Sequence, residues 1–239
     1  MKLKLIYLLA AIFALSASIQ GCDKNPDGKD PNGNDPNRPP LEVSVGGNIS
    51  VDNFVDGAGG TVAFNRFPAT VNEWKEVREK IGKTIPGAIA LQIMACELYR
   101  RNNTAGIECL KLNTSTAKAV SYSNLLKGVI DTRPYQFAAY LQGASWDNGY
   151  NPTKPYTITV AVTPTSSVGY SNDYQTNIYH LFIKSNGHEV NGGLQPASVM
   201  ITARPGEPGE GKYYIISELS SIFLQCKEKS FSVPFNGLD

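Results

Sequence analysis

The first half of the chain carries apolar side chains at helical spacing. Trp74, Val77 and Ile81 recur every three or four residues, which places them on one face of a helix. Thr70 and Glu73 stand three residues apart just before this run. They have the sequence of a capping box, in which each side chain accepts a hydrogen bond from the other residue's backbone N–H. The pattern therefore predicts a helix that begins after Thr70 and ends near Ile81.

A second and more apolar run follows directly. Thr84 is a helix-capping residue and Pro86 fits the first turn, so a helix is expected over about Ile85–Arg100. Its apolar residues cover nearly the whole circumference, which is typical of a helix buried in a core. Two further helices are predicted, the first over Thr104–Leu112 and the second over Pro134–Leu141.

After Gly143 the apolar positions alternate with polar ones, as they do in half-buried β-strands. The strands predicted in this second half are Thr157–Val162, Tyr179–Ile183, Ala197–Ala203, Lys212–Ser217 and Ile222–Lys227, with a break at 219–221. Two short apolar runs precede the helices, Leu41–Ile49 and Thr61–Phe67. They flank the glycine-rich turn 56–60 and are expected to pair as a hairpin.

This order of elements predicts an α+β domain over 41–239, with N-terminal helices packed on a curved antiparallel sheet that the C-terminal half mainly forms. Because no second linker or repeat interrupts it, one domain is favoured over two. The layout resembles the cone-like folds of the nuclear-transport-factor type. That likeness concerns layout and carries no activity.

Three stretches of the chain resemble a family of exported bacterial domains of unknown function. They are VNEWKEVREKIGKTIPGAIALQIMACELYRRN, RPYQFAAYLQGASWDNGYNPTKPYTITV and KYYIISELSSIFLQCKE, which together run from about Val71 to Glu228. The shared features are a Trp-x-x-x-Arg helix, a Gly-Ala helix and an Asn-Gly-Tyr segment before a Tyr-centred strand. The resemblance implies no catalytic residue.

The N-terminus has the pattern of a secretion signal, with Lys2 and Lys4 ahead of an apolar stretch over 5–17. The residues that follow, Ser18-Ile-Gln-Gly-Cys22, resemble the lipobox of bacterial lipoproteins. The resemblance implies that residues 1–21 are removed, that the Cys22 thiol carries diacylglycerol and that the new amine is acylated, with palmitate as a typical chain. A plain signal peptide with a coincidental cysteine is the alternative.

After Cys22, the residues from Asp23 to Pro40 include no apolar side chain apart from proline. The stretch 22–40 is therefore expected to be a disordered tether. A flexible coil of this length spans roughly 20–25 Å. These features predict a lipid-anchored protein of the bacterial cell envelope. The outer membrane, at its periplasmic face or at the cell surface, is favoured over the inner membrane, although Asp23 after the cysteine resembles inner-membrane retention in some bacteria.

Charge and cysteine content exclude several classes of site. The formal net charge of +1 falls to −1 once the two signal lysines are removed, so no nucleic-acid partner is expected. Cys96, Cys109 and Cys226 remain besides the anchor, and they are interpreted mainly as small core residues. A Cys96–Cys109 disulfide is the alternative. No metal site and no cofactor are predicted.

The histidines and acidic residues give no recognisable catalytic motif. His180 lies in a predicted strand and His188 in a turn, and no nucleophile motif accompanies either one. Glu207 and Glu210 lie in a Pro- and Gly-rich loop that is interpreted as a solvated hairpin tip.

The segment Ser145–Pro152 carries the candidate binding residues, which are Trp146, Asp147, Asn148 and Tyr150. Aromatic rings beside Asp and Asn on a loop are typical of sites that bind sugars or peptides. The favoured alternative is a tight turn in which the two aromatic residues close the edge of the sheet.

Together these patterns favour a non-enzymatic binding domain that is tethered to a membrane by acyl chains on Cys22. Its partner is expected to be a glycan, a peptide or an envelope protein. One alternative is an envelope hydrolase whose site combines distant residues such as His180, Asp147 and Glu218. The other is a structural subunit of the envelope.

Overall fold

The computed structural model describes residues 38–202, 204–209 and 211–238. The predicted signal peptide, the lipidation site at Cys22 and nearly all of the tether lie outside this part of the chain. The described residues form four α-helices, α1 over Val71–Ile81, α2 over Ile85–Arg101, α3 over Asn103–Asn113 and α4 over Thr116–Thr132. Within the same ranges, three short 3₁₀ helices span Gln136–Tyr140, Val190–Gly193 and Ser220–Phe223.

In the part of the chain that the structure describes, seven antiparallel strands form one open sheet. They are β1 (Val43–Gly47), β2 (Gly59–Phe64), β3 (Tyr156–Ala161), β4 (Ser167–Ser171), β5 (Thr176–Lys184), β6 (Leu194–Met200) and β7 (Ile215–Glu218). The order is β1-β2-β3-β5-β6-β7, and β4 pairs with β5. The predicted α+β class is confirmed, and the sheet does not close on itself.

Two strands share one edge of β5. β3 pairs with the C-terminal part of β5 through Val160 and Ala161, whereas β4 pairs with the N-terminal part over residues 176–180. β6 occupies the other edge of β5. The sequence did not predict β4, since its five residues are mostly exposed and lack a buried face.

The N-terminal hairpin and the first three helices agree with their predictions. β1 pairs with β2 in register from Val43 opposite Phe64 to Gly47 opposite Gly60. At the start of α1 the Thr70 side chain accepts a hydrogen bond from the Glu73 N–H at 3.1 Å. The capping box also predicts a reciprocal bond from the Thr70 N–H to the Glu73 carboxylate, and this prediction is wrong. The Glu73 carboxylate instead accepts from the Ala69 N–H at 2.7 Å.

Helix α2 forms the centre of the molecule. Every residue from Ile85 to Tyr99 is buried, as the apolar pattern predicted. The indole N–H of Trp74 donates to the Leu91 carbonyl at 3.0 Å and joins α1 to α2. Gly106 lets α3 approach α2 closely, since a Cβ at this position would lie 2.3 Å from the Cα of Tyr99. The core is therefore built around α2, and the surrounding elements pack against it.

Helix α4 was not predicted. Its buried residues, Ala119, Tyr122, Leu126 and Val129, lie on one face. The capping residue makes no side-chain hydrogen bond. Instead, the Glu207 carboxylate accepts from the Thr116 N–H at 2.8 Å and supplies the missing cap from a distant loop.

The last predicted strand, Ile222–Lys227, is wrong. Its first two residues belong to a 3₁₀ helix, and the rest has no regular secondary structure. The side-chain amide of Gln136 makes the backbone hydrogen bonds that a neighbouring strand would make. It donates to the carbonyls of Ile222 and Leu224 and accepts from the Cys226 N–H at 3.1 Å. Gln136 itself lies in the 3₁₀ helix 136–140, which replaces the helix predicted over Pro134–Leu141.

The three cysteines lie in the core as free thiols, and Cys96 and Cys109 are not bridged. Burial raises the pKa of the Cys109 thiol to about 12 and that of Cys96 well above its usual range. Within the ranges that the structure describes, no helix is long and apolar enough to cross a membrane.

Candidate functional site

The loop that carries the four candidate binding residues is built around the side chain of Asn148. Its amide oxygen accepts from the N–H groups of Ser145 (2.9 Å) and Asn151 (3.2 Å). Its amide nitrogen donates to the carbonyls of Gly143 (2.7 Å) and Asn151 (3.1 Å). These four bonds fill the capacity of an asparagine side chain. Asn148 therefore fixes the turn.

Tyr150 fixes the loop to the core. Its side chain is fully buried, and its hydroxyl donates to the Lys227 carbonyl at 2.6 Å. Its ring stacks on that of Tyr135, with centroids 5.0 Å apart. The backbone of Tyr150 lies in the left-handed region, with φ of 58°. Such a conformation is uncommon for a bulky residue and is held by these contacts.

Trp146 and Asp147 face the solvent above this framework. The Trp146 side chain is 42% exposed, and the Lys227 ammonium lies 3.9 Å from the centroid of its ring. The Asp147 carboxylate accepts a hydrogen bond from the Ser145 hydroxyl. That hydrogen bond is the main cause that lowers the pKa of Asp147, and the positive charge of Lys227 adds to it. The lowered pKa favours the ionised form of this carboxylate.

The C-terminal segment completes this surface. Lys227 forms an ion pair with Glu189 at 3.1 Å. The Ser230 N–H donates to the Trp146 carbonyl at 2.7 Å, and the next residue, Phe231, has a side chain that is 91% exposed. We call the group of Trp146, Asp147, Glu189, Lys227 and Phe231 the Trp146 surface. An exposed indole with both signs of charge around it offers a flat apolar contact and polar groups that orient a ligand.

Sequence reasoning found two members of the Trp146 surface and missed the others. Lys227 was assigned to a strand, and Phe231 had no role. The wrong strand at 222–227 concealed Lys227, because it placed this residue in the sheet. A lysine close to an aromatic residue in space leaves no trace in sequence spacing when the two lie in different parts of the chain.

The residues of the hydrolase alternative bind to different partners. His180 is exposed, and its Nδ1 lies 2.8 Å from the Ser198 hydroxyl. Ser198 stands opposite Glu218 in the sheet register, but the Glu218 carboxylate accepts from Lys118 and from the Tyr122 hydroxyl. Asp147 belongs to the Trp146 surface. The structure thus places a hydroxyl next to His180 and engages the two carboxylates elsewhere.

His188 connects two loops. Its Nδ1 lies 2.9 Å from the Ser185 hydroxyl, and its Nε2 lies 3.1 Å from the Leu224 carbonyl. Burial lowers the pKa of the imidazole, which therefore favours its neutral form. A neutral ring can donate to the carbonyl and accept from the hydroxyl at the same time. Both bonds hold local structure.

The remaining polar groups give no stronger candidate. Glu207 lies in the turn between β6 and β7, at the tip where the sequence placed it, and its carboxylate caps α4; Glu210 lies outside the described residues. A shallow depression between the β4–β5 turn and the loop after β6 is lined by Asp173, Tyr174, Gln175, Arg204 and Pro205. Across the ranges the structure describes, no group of three or more His, Cys, Asp or Glu side chains could hold a metal ion.

The residues that carried the sequence resemblance have structural roles. Trp74 is fully buried, and the Arg78 guanidinium donates to the Leu112 carbonyl at 2.8 Å while it covers the Tyr213 ring. Gly87 lies in the first turn of α2, where a Cβ would lie 1.9 Å from the Ile81 carbonyl oxygen. These three residues hold the helices in place, whereas the Asn-Gly-Tyr segment supports the Trp146 surface through Asn148 and Tyr150.

Comparison with known proteins agrees with the resemblance. No curated protein and no solved structure matches the chain. The profile of one domain family matches residues 66–230, close to the stretch from Val71 to Glu228 on which the resemblance was based. Since this match covers more than half of the chain, the chain belongs to the family described as a domain of unknown function, DUF6935.

Proposed function

We propose that the protein is a non-enzymatic binding domain of the bacterial cell envelope, held to a membrane by acyl chains on Cys22, and that it binds a glycan at the Trp146 surface. One observation carries the binding role. The Trp146 indole is exposed under the Lys227 ammonium group and is followed in sequence by the exposed Asp147, on a loop that the side-chain hydrogen bonds of Asn148 hold in place. A surface that is already ordered loses little entropy when a ligand binds.

The chemistry of the three exposed groups suits an acidic sugar. An indole ring packs against the apolar face of a pyranose, and an ionised carboxylate such as that of Asp147 accepts hydrogen bonds from hydroxyls. The Lys227 ammonium attracts a carboxylate on the ligand, in competition with Glu189. We therefore expect a glycan that carries carboxyl groups to bind more tightly than a neutral one.

Tryptophan fluorescence tests this proposal directly. The chain has two tryptophans, and Trp74 is fully buried, so a ligand at the surface changes only the emission of Trp146. The full chain in detergent micelles is titrated with oligosaccharides of alternating N-acetylglucosamine and N-acetylmuramic acid. The matched neutral ligand is an N-acetylglucosamine oligomer. A saturable change is expected, with a lower Kd for the acidic ligand.

Three variants distinguish the contributions of the indole and the ammonium group to binding. Trp146→Phe should abolish the signal, and Lys227→Gln should raise the Kd of the acidic glycan about tenfold while it leaves that of the neutral one unchanged. Lys184→Gln, which removes an exposed lysine on β5, is the matched control. Saturation at a hundred times Kd should also stabilise the fold by about 2.7 kcal/mol. If neither sugar changes emission or Tm, the glycan role is wrong.

The membrane anchor is tested separately. Lipidation needs the Cys22 thiol, and two or three acyl chains bind a bilayer far more strongly than the marginal binding of one chain. Cells fed a labelled fatty acid are fractionated with a detergent that separates membrane proteins. The wild-type chain should carry label and partition into detergent, whereas Cys22→Ser should do neither. An unlabelled soluble wild type would refute the anchor.

A further inference from the structure

The three outer strands of the sheet differ in how their free edges are protected. At β7, the segment between α3 and α4 covers the edge, since Thr114 bridges to Ile216 and the Ser115 N–H donates to the Ile216 carbonyl at 2.9 Å. β1 follows two prolines and ends at Gly47, whose φ is 96°. Prolines, glycine kinks and covering segments are the usual means of preventing edge-to-edge pairing.

β4 has none of these features. It pairs with β5 along one edge, and among the described residues no backbone hydrogen bond reaches its other edge. The strand, Ser167-Val-Gly-Tyr-Ser171, contains no proline and no charged residue. Val168 is 48% exposed and Tyr170 is 64% exposed. An uncharged edge strand with exposed apolar side chains is a template for another strand.

The sequence of β4 fits a second copy of itself. When two such strands pair antiparallel about Gly169, Ser167 of each strand stands opposite Ser171 of the other. Val168 then stands opposite Tyr170 of the other strand, on the face that also carries Tyr179 of β5. Aromatic residues opposite β-branched ones stabilise antiparallel pairs. No charge opposes a like charge in this register.

The surroundings of β4 add apolar surface on the same side. Tyr179 packs edge-on against Phe54, with centroids 5.2 Å apart, and the neighbouring Val55 is 56% exposed. Val168 is the direct neighbour of Tyr179 in the sheet. The exposed apolar groups at the edge are thus contributed by the strand itself, and the loop that leads into β2 packs on its neighbour Tyr179.

We propose that the free edge of β4 is a self-association site, at which two copies of the chain pair their β4 strands antiparallel around a two-fold axis through Gly169. The pairing joins the two sheets into one and partly buries Val168 and Tyr170 of each copy. A two-fold contact of this kind is closed, because it uses the same edge of both partners and leaves none free. It involves no residue of the Trp146 surface and does not depend on ligand binding.

Disulfide cross-linking tests both the contact and its register. In the full chain with Cys22→Ser, Gly169→Cys places two thiols directly opposite each other, within the 4.4–6.8 Å between Cα atoms that a disulfide requires. Ser167→Cys lies on the same strand but places its thiols four residues apart, about 13 Å. The native Cys96, Cys109 and Cys226 are buried and should not react. Oxidised glutathione serves as the oxidant.

We expect Gly169→Cys to give a cross-linked dimer and Ser167→Cys to give at least ten times less. Equal or greater cross-linking through Ser167→Cys would overturn the proposed register. The absence of cross-linking in both would overturn the contact. The new side chain would lie 3.3 Å from the exposed His180 ring, which has room to move.

Sedimentation velocity gives an independent measurement that does not depend on Gly169. The Cys22→Ser chain should show a dimer whose fraction rises with concentration, and Tyr170→Lys should be a monomer because two lysines would then face the paired strands. Val120→Lys changes an equally exposed residue, 68% exposed on α4, and should leave the dimer intact. An unchanged Tm shows that each variant is folded. A wild type that stays monomeric, or a Tyr170→Lys variant that still dimerises, would refute the proposal.

Discussion

α2 and α4 have the same length, 17 residues, but different origins of stability. α2 is buried on all sides and begins at its own cap, where the Thr84 hydroxyl accepts from the Gly87 N–H at 3.1 Å. α4 buries one face, and its first N–H is bonded by Glu207, far along the chain. The comparison shows that one helix is specified by its own sequence and the other by its partners.

Truncation of a core residue should have the largest effect, and it should distinguish buried from exposed positions on the two helices. Leu91→Ala in α2 removes a fully buried side chain and should lower the free energy of unfolding by about 2–5 kcal/mol. Leu125→Ala is the matched control, since this α4 residue is 42% exposed and should change stability by less than about 0.5 kcal/mol. Urea unfolding measures both. Equal losses would contradict the burial of α2.

Acid should loosen α4 through Glu218. Burial raises the pKa of this carboxyl, but hydrogen bonds from Lys118 and Ser220 outweigh it and lower the pKa from 4.5 to about 2. Because the folded pKa is depressed, the stabilisation is fully present above pH 4.5 and is lost as the pH falls through 2. The pair is substantially exposed, so Glu218→Gln should cost only about 1–2 kcal/mol at pH 7.

The pH series supplies the check on Glu218. The difference in stability between the wild type and Glu218→Gln should shrink steadily between pH 4.5 and pH 2. A difference that stays constant over this window would mean that the carboxylate charge does not hold α4 in place. Hydrogen exchange of α4 amides should follow the same trend, because α4 opens first when its contacts with Glu218 weaken.

Removing the distant cap should have a smaller effect. Glu207→Ala leaves the Thr116 N–H without its partner and should lower stability by about 1 kcal/mol, the usual cost of losing a helix cap. Glu207→Gln keeps an acceptor oxygen and should retain part of this stabilisation. Thermal unfolding compares the three proteins. If Ala and Gln behave alike, the cap does not act through the hydrogen bond.

The smallest expected change in stability is an increase. Gly128 lies within α4 on its exposed side, and a Cβ there would meet no atom within 4 Å. Gly128→Ala should raise stability by about 0.5–1 kcal/mol, because alanine loses less backbone entropy in a helix. Gly106→Ala in α3 is the contrasting variant, since its Cβ would collide with the backbone of Tyr99. A loss of stability in Gly128→Ala would contradict the open space.

Elements with local signals were predictable, and elements held by distant partners were not. α1 and α2 carry both their caps and their apolar spacing within their own residues. α4 has buried residues at helical spacing, but serines, threonine and Gly128 weaken its propensity, and no local cap marks its start. The segment 222–227 has an alternating pattern, yet the side chain of Gln136 satisfies its backbone groups where a strand would otherwise be needed. Neither the helix α4 nor the irregular path of 222–227 could be predicted from the residues of these segments alone.

The candidate site shows the same division. The turn around Asn148 was among the predicted alternatives, since Asp-Asn-Gly is turn sequence. The exposure of Trp146 and Asp147 depends on Tyr150 packing under the loop, which needs Tyr135 and the Lys227 carbonyl. Lys227 reaches the indole only because the C-terminal segment returns to this loop. The sequence identified the aromatic and acidic residues, and tertiary packing selected which of them face the solvent.

The dependence of α4 on Glu207 and β7 has a consequence for the order in which the protein is assembled during synthesis. Translation delivers α1 to α3 together with their own caps, so these helices can pack on one another as soon as they emerge. α4 emerges next but lacks its first hydrogen-bond partner until the loop at 207 has been made. The Ser115 anchor on Ile216 comes later still. A nascent chain that stops before residue 207 should therefore contain a packed three-helix unit and an undocked α4, which makes α4 the segment most open to proteases and chaperones.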